Sequence, residues 1–425
     1  MDPNFTDPSL LPPEERERLI DSIGELLRRQ ETVEALLHTV LPHLPEGERV
    51  LVYILDKIAR IGHLCQEPFM VNGLYGDSYD RILLLTARID QPGVNQAVFE
   101  ILGPKFIHVE TDDPVLPLLG VLDGGLAEFG PFDLWLVAAD TIQDLYVEHV
   151  SGAPITSQKF ALSPGLRSRG DRWLETFGIG EDDPVVMLHV RDMSFLPGRS
   201  QYEYRCASIE NYGPAIDWLV ARGYRVFRIG DTANPPLGHE SDRVIDVPHQ
   251  ENYDGFMDVY LGARSHFAIT GQSGPDILAR SLGTPCLMAN TGPAKEICHM
   301  PPDIFLPKPL YHVGGDTMLT YQEVLDLGLP AFSVTEQFTE AGVVVGQNSP
   351  EDILNAVEEI DRTISSDYPF DPEIEVRFRA MSRDFDDLRR AQFEAEGANY
   401  TTYSYANPWG RLSQSFVRSH PHWLD

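Results

Sequence analysis

Short, continuous blocks of apolar residues recur along this chain, each followed by a turn and a segment with helical spacing. A block that is apolar throughout is typical of a strand buried on both faces of a parallel sheet. The predicted strands cover 50–55, 81–86, 105–109 and 134–138, then 184–190, 224–229, 244–247, 266–270 and 285–289. The predicted helices cover 13–45, 61–71, 95–102, 169–177, 209–221, 254–263, 275–282, 351–364 and a long segment from 372. This alternation predicts an α/β fold with doubly wound parallel sheets.

The strand–helix pattern stops after the fourth strand and begins again near residue 184. A chain of 425 residues also exceeds the roughly 250–300 residues at which one hydrophobic core stops growing, so we expect two domains. We predict a helical segment over 1–48, a Rossmann-like domain over 49–165, a second over 180–365, and a helix and tail over 366–425 that pack back on the body. Open parallel sheets bind ligands beyond the carboxyl ends of their strands, so we expect a cleft where two such sheets face each other.

The charge balance excludes some partners. The chain has 33 basic and 65 acidic side chains and a formal net charge of −32. Such a surface repels phosphate backbones and anionic lipids, so we expect neither nucleic acid nor a membrane surface as the main partner. An anionic ligand would need a local positive pocket that acts against this overall field.

The cysteines and the chain start give an expectation about location. Cys65, Cys206, Cys286 and Cys298 are widely spaced and include no C-x-x-C pair, which favours reduced thiols over a disulfide frame or a zinc site. The first residues lack a basic and apolar leader, and no run approaches the ~18 apolar residues of a spanning helix. We therefore expect a soluble cytoplasmic protein.

The most informative segment runs from a buried strand ending at Thr270-Gly271, through the turn Gln272-Ser273-Gly274, onto a helix. The free amides and the positive end of that helix would form an anion site, and Gly271 and Gly274 would let a phosphate approach the backbone. The alternative is an ordinary strand–turn–helix in which Ser273 caps the helix.

Several motifs carry a resemblance to known enzymes. The strand end at 269–274, the following helix and Leu282-Gly-Thr-Pro285 resemble the nucleotide-sugar domain of two-domain GT-B glycosyltransferases, including heptosyltransferase-like enzymes. The segments 188–192, 204–216 and 223–230, with Asp258 and Arg60-Ile-Gly-His63, resemble a bacterial GT-B family that is defined by a sequence model alone. The resemblance covers roughly residues 50–310. It implies two Rossmann-like domains facing across a cleft and a nucleotide-sugar donor whose diphosphate lies at the helix N-terminus.

Arginines supply candidate contacts for that diphosphate. Arg191 follows the first strand of the second domain, and its forked guanidinium suits a diphosphate; the alternative is a surface pair with Asp192. Arg205 and Arg228 are weaker candidates, since Arg205 could pair with Glu210 and Arg228 could simply line the wall.

Other candidate donor contacts lie at the same sheet edge. Gly230 would let a base or ribose approach, or would form a plain turn. Asn290, in a loop with Glu296 behind it, would contact the ribose or the donor sugar, while His189 is expected to be a satisfied core histidine. The full set of predicted donor-binding residues is Arg191, Arg205, Arg228, Gly230, Gln272, Ser273, Gly274 and Asn290.

The catalytic base is predicted in the first domain. His63 follows the first strand, where several GT-B families place a Gly-His whose imidazole faces the acceptor as general base. Glu67 would share its helix face and orient or replace it; the alternative is a capping histidine with a solvated glutamate. The acidic pairs at 112–113, 182–183 and 384–386 do not resemble a strand-end D-x-D metal site, so we predict no metal and no cofactor.

The sequence therefore predicts a metal-independent, inverting glycosyltransferase that uses a nucleotide diphosphate sugar, with Arg191 also assisting departure of the diphosphate. The acceptor and the oligomeric state stay open. One alternative is a non-hydrolysing nucleotide-sugar 2-epimerase, which would need acidic groups on both sides of the sugar. The other is a catalytically silent nucleotide-sugar-binding protein.

Overall fold

The computed structural model describes residues 11, 13–151, 159–194, 198, 200–293, 302–398, 400–407 and 409–425. The chain divides into two compact units: Met1–His149 with Thr156–Ala161, and Val150–Ile155 with Leu162–Asp425. The residues discussed above at 1–10, Glu296 and Cys298 lie outside the described residues. Of the described helices, none is both long and apolar enough to cross a bilayer.

The first unit is built on a five-stranded sheet. Its elements are α1 Pro13–Leu27, α2 Gln30–Val40, β1 Val50–Ile54, α3 Ile61–Tyr75, β2 Arg81–Ala87, β3 Phe106–Thr111, β4 Gly125–Glu128, β5 Asp133–Leu136 and α4 Ala139–Val150. The strand order is β3-β2-β1-β5-β4. All pairs are parallel except β4 with β5. All five residues of β1 are buried, as the continuous apolar block predicts for a central parallel strand.

The second unit is larger. Its elements begin with α5 Pro164–Glu175, β6 Val185–Leu188, α6 Gly213–Ala221, β7 Arg225–Arg228, β8 Val244–Asp246, α7 Phe256–Arg264, β9 Phe267–Thr270, α8 Gly274–Ser281 and β10 Cys286–Thr291. They continue with β11 Ile304–Pro307, β12 Leu310–His312, α9 Tyr321–Asp326, α10 Thr335–Glu340, β13 Val343–Val345, α11 Pro350–Ile364, α12 Pro372–Glu396, β14 Arg411–Leu412 and α13 Gln414–Ser419.

A seven-stranded sheet forms the centre of the second unit, in the order β14-β11-β10-β9-β6-β7-β8. Every strand pair in it is parallel. The chain winds from β6 outward to β8, returns to β9 beside β6, and continues in the other direction. This is the doubly wound order of a Rossmann-like sheet with one strand added at the edge. The predicted α/β class with two parallel-sheet units is confirmed; the facing of the units across a cleft stays a prediction.

Some elements differ from the sequence-based expectation. The segment 13–45 forms two α-helices, and the helix predicted at 95–102 is a 3₁₀ helix over Gln96–Ile101. Helix α5 starts at 164 instead of 169, because Ser163 caps it and Pro164 occupies its first turn. Five strands of two to four residues each were not predicted: β4, β11, β12, β13 and β14.

The C-terminal tail is tied to the second unit by buried ionic side chains. Arg379 of α12 donates hydrogen bonds to the backbone oxygens of Tyr405 (2.7 Å) and Gly410 (2.6 Å). Glu359 of α11 accepts hydrogen bonds from the backbone nitrogens of Gln414 and Ser415, each at 2.9 Å. These contacts bring β14 against the edge of β11, where it adds the last strand of the sheet.

Candidate functional site

The strand order locates a ligand crevice in the second unit. Adjacent strands β6 and β9 are followed by connections that leave in opposite directions, and this reversal opens a crevice at their carboxyl ends. Arg191 follows β6, and the turn containing Ser273 follows β9. Arg191 Nη1 donates a hydrogen bond to Ser273 Oγ at 3.4 Å. Two residues that the sequence predicts as donor contacts, separated by 82 positions, therefore meet at this point.

The turn before α8 differs from an ordinary capped helix start. Ser273 is extended, with φ −157° and ψ 163°, and among the described residues its side chain makes no capping hydrogen bond to α8. Its hydroxyl faces Arg191 instead. Pro275 has no N–H and the amide of Asp276 bonds to the Ser273 carbonyl at 3.1 Å. The alternative in which Ser273 simply caps the helix is therefore not what the structure contains.

A second cation lies beside the same turn. Arg205 Nε donates to the backbone oxygen of Gln272 at 3.0 Å. The expected alternative partner, Glu210, bonds to the Ser208 hydroxyl instead. Gln272 Oε1 in turn accepts from the backbone nitrogen of Gly292 at 3.2 Å, which links the turn to the loop after β10.

Arg191 is a partly buried cation that forms no ion pair with a described carboxylate. Its pKa is lowered, first by burial and then by the nearby charge of Arg205. Its Nε atom is buried and has no hydrogen-bond partner among the described residues. Asp192 does not pair with it, because Asp192 Oδ1 accepts from Asn234 Nδ2 at 2.7 Å and from the Ser194 amide at 2.8 Å. An anion in the crevice would satisfy Arg191.

Lys308 lies at the same sheet edge, but it is not among the donor-binding residues that the sequence predicts. It directly follows β11, is only 4% exposed, and donates from Nζ to the backbone oxygen of Cys206 at 2.6 Å. Burial lowers its pKa to about 8. The available signal was the apolar block 304–307 with a lysine directly after it, which is the position of a strand-end side chain.

Two of the predicted donor contacts, Arg228 and Asn290, have protein partners instead. Arg228 is 3% exposed and donates to Asp246 Oδ1 at 2.8 Å across neighbouring strands. Asn290 and Asn348 exchange side chain–backbone hydrogen bonds of 2.6 and 2.8 Å, and Asn290 Nδ2 also donates to the Tyr212 hydroxyl at 3.1 Å. These side chains shape the crevice wall.

Gly230 lies in the left-handed region at φ +156°, and a Cβ there would lie 2.6 Å from Asn234 Oδ1. The glycine therefore allows the Asn234 side chain to fold back on the loop, where Asn234 Oδ1 accepts from the Asp231 amide at 2.7 Å. In the structure the group that approaches Gly230 closely is therefore the Asn234 side chain. The predicted contact of Gly230 with a base or ribose stays a prediction.

His189 is buried, as expected, but its ring is not satisfied. It is 8% exposed, and its Nδ1 atom has no hydrogen-bond partner among the described residues. Burial lowers its pKa to about 3, and the charges of Arg191 and Arg228 act in the same direction. The ring is therefore neutral at physiological pH, and it adds no charge to the crevice.

In the first unit, His63 and Glu67 lie one turn apart on α3. His63 Nδ1 lies 2.8 Å from Glu67 Oε1, and the Tyr53 hydroxyl donates to Glu67 Oε2 at 2.5 Å. A carboxylate can only accept, so this contact places the proton on Nδ1 and leaves Nε2 able to accept one. The His63 side chain is 27% exposed and that of Glu67 2%. The alternative of a solvated glutamate is wrong, because Glu67 is buried between two partners.

A second carboxyl group lies close by and was missed from the sequence. Asp56 follows β1, at the point where the first sheet reverses its winding between β1 and β5. Its Oδ1 atom is buried and has no hydrogen-bond partner in the described part of the chain. Burial, and then the charge of Glu67, raise its pKa to about 7. The signal was a lone acid directly after the apolar block 50–55.

Metal-ligating side chains do not cluster in the described ranges: no group of three or more His, Cys, Asp or Glu residues there could hold an ion. The metal-free mechanism stays a prediction.

Comparisons with known proteins give structural neighbours alone. No protein-family model and no curated protein matches the chain. A glycosyl transferase family 9 structure from Veillonella parvula is 13% identical and covers 59% of this chain and 83% of its own, with a TM-score of 0.40. The E. coli ADP-heptose LPS heptosyltransferase II is 11% identical and covers 58% and 85%, with a TM-score of 0.39. E. coli heptosyltransferase WaaC with ADP is 11% identical and covers 69% and 99%, with a TM-score of 0.32. All three scores lie below 0.5, so the fold assignment rests on the strand order described above.

Proposed function

We propose that this chain is a cytoplasmic glycosyltransferase that moves a sugar from a nucleotide diphosphate donor to an acceptor hydroxyl, without a metal and with inversion. The observation that carries the proposal is the contact between Arg191 and Ser273 at the winding reversal of the second sheet. A permanently charged, partly buried guanidinium at a crevice of this kind suits a phosphate ligand.

The second unit would bind the donor and stabilise its leaving group. As the bond between the anomeric carbon and the diphosphate oxygen breaks, its electron pair stays on the diphosphate. Arg191 and Arg205 would compensate this growing negative charge, and the start of α8 would add its positive end. The Ser273 hydroxyl accepts a hydrogen bond from Arg191 Nη1 and would help to hold the guanidinium in the crevice.

The first unit would activate the acceptor. His63 Nε2 would take the proton of the acceptor hydroxyl while the hydroxyl oxygen forms a bond to the anomeric carbon, opposite to the leaving diphosphate. This single displacement inverts the anomeric centre. Glu67 would hold the ring through Nδ1 and stabilise the imidazolium that forms. Asp56, with a pKa of about 7, is a second candidate for the base.

A 2-epimerase stays an alternative, and Asp56 with Glu67 is the acidic pair that would favour it. The other alternative is a protein that binds a nucleotide sugar without catalysing a reaction. A thermal-shift screen with UDP, GDP, TDP, ADP and CMP, followed by incubation with the matching nucleotide sugars, separates the three. A nucleotide at 100 times its Kd stabilises the folded chain by about 2.7 kcal/mol.

A transferase releases the nucleotide diphosphate and forms a glycoside, or slowly hydrolyses the donor without an acceptor. An epimerase yields the 2-epimer of the sugar while the diphosphate stays attached, and a binding protein changes nothing. If no nucleotide raises the Tm, the proposal is wrong.

A further inference from the structure

The crevice of the second unit contains a group of positive charges that we call the cation cluster: Arg191, Arg205 and Lys308. The Arg191 and Lys308 charges both act on the Cys206 thiol, lowering a pKa that burial raises, and Arg205 precedes Cys206 in the chain. Lys308 Nζ donates to the Cys206 backbone oxygen at 2.6 Å. Arg191 and Lys308 thus converge on the short segment that carries Arg205, although they come from distant parts of the chain.

No described carboxylate forms an ion pair with a member of the cation cluster, although the charge of Arg205 acts on the buried Asp276. Among the described residues, no carboxylate lies within 4.0 Å of Arg191, Arg205 or Lys308. An ammonium group has three donors, and among the described residues one contact to a carbonyl leaves two of those of Lys308 without a partner. Burying a cation in this way costs stability unless an opposite charge is supplied.

Lys308 is the deeply buried member of the cation cluster, and the deeply buried arginines in the described part of this unit are all paired. Arg228 lies 2.8 Å from Asp246, Arg280 lies 2.7 Å from Asp276, and Arg379 lies 2.7 Å from Glu375. Those three arginines are 3–6% exposed, which matches the 4% of Lys308. In a chain with 65 acidic side chains, carboxylates are plentiful. Within the described residues, their absence from the cation cluster favours a site that an external anion completes.

We propose that Lys308 is a donor-binding residue that completes the cation cluster, and that the cluster selects nucleoside diphosphates over nucleoside monophosphates. The inference rests on the proposed function, because it concerns the same donor site. Two phosphates carry more charge than one and span more of the cluster, so the second phosphate can reach a cation that a monophosphate leaves unused.

The variant Lys308→Gln tests this role, because glutamine keeps a donor for the Cys206 oxygen but removes the charge. Lys308→Arg keeps the charge. Lys105→Gln is the matched control, since Lys105 Nζ also donates to a backbone oxygen, that of Gly76 at 2.6 Å, but lies in the first unit. Calorimetric titration with UDP, GDP, TDP and ADP, and with their monophosphates, measures the two affinities for each variant.

We expect the parent to bind one diphosphate at least ~30-fold more tightly than its monophosphate. Lys308→Gln should lose ~10- to 100-fold in diphosphate affinity and less than about threefold in monophosphate affinity. The Lys308→Arg and Lys105→Gln variants should bind both nucleotides nearly as the parent does. If the role of Lys308 were purely structural, the Lys308→Gln variant would lose affinity for the diphosphate and the monophosphate by the same factor. The ratio of the two affinities would then be unchanged.

Several outcomes overturn the inference without touching the proposed function. These are equal binding of mono- and diphosphate by the parent, and an unchanged affinity ratio in Lys308→Gln. If Lys308→Gln does not fold, the inference is tested by the affinity ratio of the parent and by the affinities of the Lys308→Arg variant for both nucleotides. If the parent binds none of the nucleotides, the proposed function itself fails.

Discussion

The hydroxyl of Tyr53 and the carboxylate of Glu67 are joined by a 2.5 Å hydrogen bond between β1 and α3. Glu67 thus has one oxygen fixed by a strand residue and the other by His63. Its buried position fixes the plane of the carboxylate, and through it the orientation of the His63 ring. The imidazole is therefore held at Nδ1 through Glu67, while no described residue forms a hydrogen bond with its Nε2 atom.

His63→Ala should lower transfer to the acceptor by ~10²–10⁴, which is the usual effect of removing a positioned base. Nucleotide diphosphate affinity should be unchanged, because the proposed donor contacts lie in the second unit. Initial rates and calorimetric titration check the two parts. His422→Ala is the control, since His422 is 91% exposed. Near-normal transfer by His63→Ala would refute the role.

Glu67→Gln should lower transfer less than His63→Ala does, because the neutral amide still contacts the ring but no longer stabilises the imidazolium. The pH–rate profile of the variant should still show the titration of one base. Rates measured across pH 5.5–9 test this. A loss as large as that of His63→Ala would indicate that Glu67 itself takes the proton.

Arg191→Ala should lower turnover by ~100-fold or more, because contacts with the leaving diphosphate strengthen as the glycosidic bond breaks. Donor affinity should fall as well, whereas the Tm of the ligand-free protein should change little. Arg377→Ala serves as the control, since Arg377 is 54% exposed and its carboxylate partner lies at 3.5 Å. Unchanged diphosphate affinity in Arg191→Ala would place Arg191 outside the donor site.

Asp56→Asn should make the protein more stable at pH 8 by on the order of 2 kcal/mol. The pKa of Asp56 is about 7 in the folded state and near 4 in an unfolded chain, so the folded state holds more protons between these values. The parent therefore loses stability as the pH rises from about 4 to 7, and this loss should be absent in the variant. Urea denaturation at pH 4.5 and pH 8 measures both slopes. Equal pH dependence in the two proteins would contradict the raised pKa.

Transfer should survive chelation. The leaving group would be stabilised by Arg191, Arg205 and the start of α8, which need no ion. Rates with and without EDTA, followed by addition of magnesium or manganese, provide the test. Loss of turnover that a divalent ion restores would show that the reaction needs a metal.

The sequence predicted the sheets well because buried parallel strands leave a strong local pattern. The apolar blocks at 50–55 and 266–270 both form central strands, and the residues after them lie at the carboxyl edge. By contrast, β14 has two residues and acquires its identity solely from pairing with β11. No local pattern encodes such a pairing.

The sequence predicted where the candidate site residues lie, but it did not predict their hydrogen-bond partners. The order of the strands along the chain predicted that Arg191, Arg228 and Asn290 lie at one sheet edge. It could not show that Arg228 forms an ion pair with Asp246, or that Asn290 forms hydrogen bonds with Asn348. Lys308 and Asp56 were missed for a related reason. Their character comes from burial and from missing partners, which depend on residues distant in the sequence.

The tail strand has a consequence for biosynthesis. Residues of β11 pair with Arg411 and Leu412, which leave the ribosome about a hundred residues later. Until then, the edge beside β11 presents unpaired backbone groups, and such an edge can pair with another chain. Glu359 and Arg379, which hold the tail, are both synthesised before the tail itself. The residues that hold the last strand of the second unit are thus synthesised before that strand. A chain truncated before β14 would leave the edge of β11 permanently unpaired.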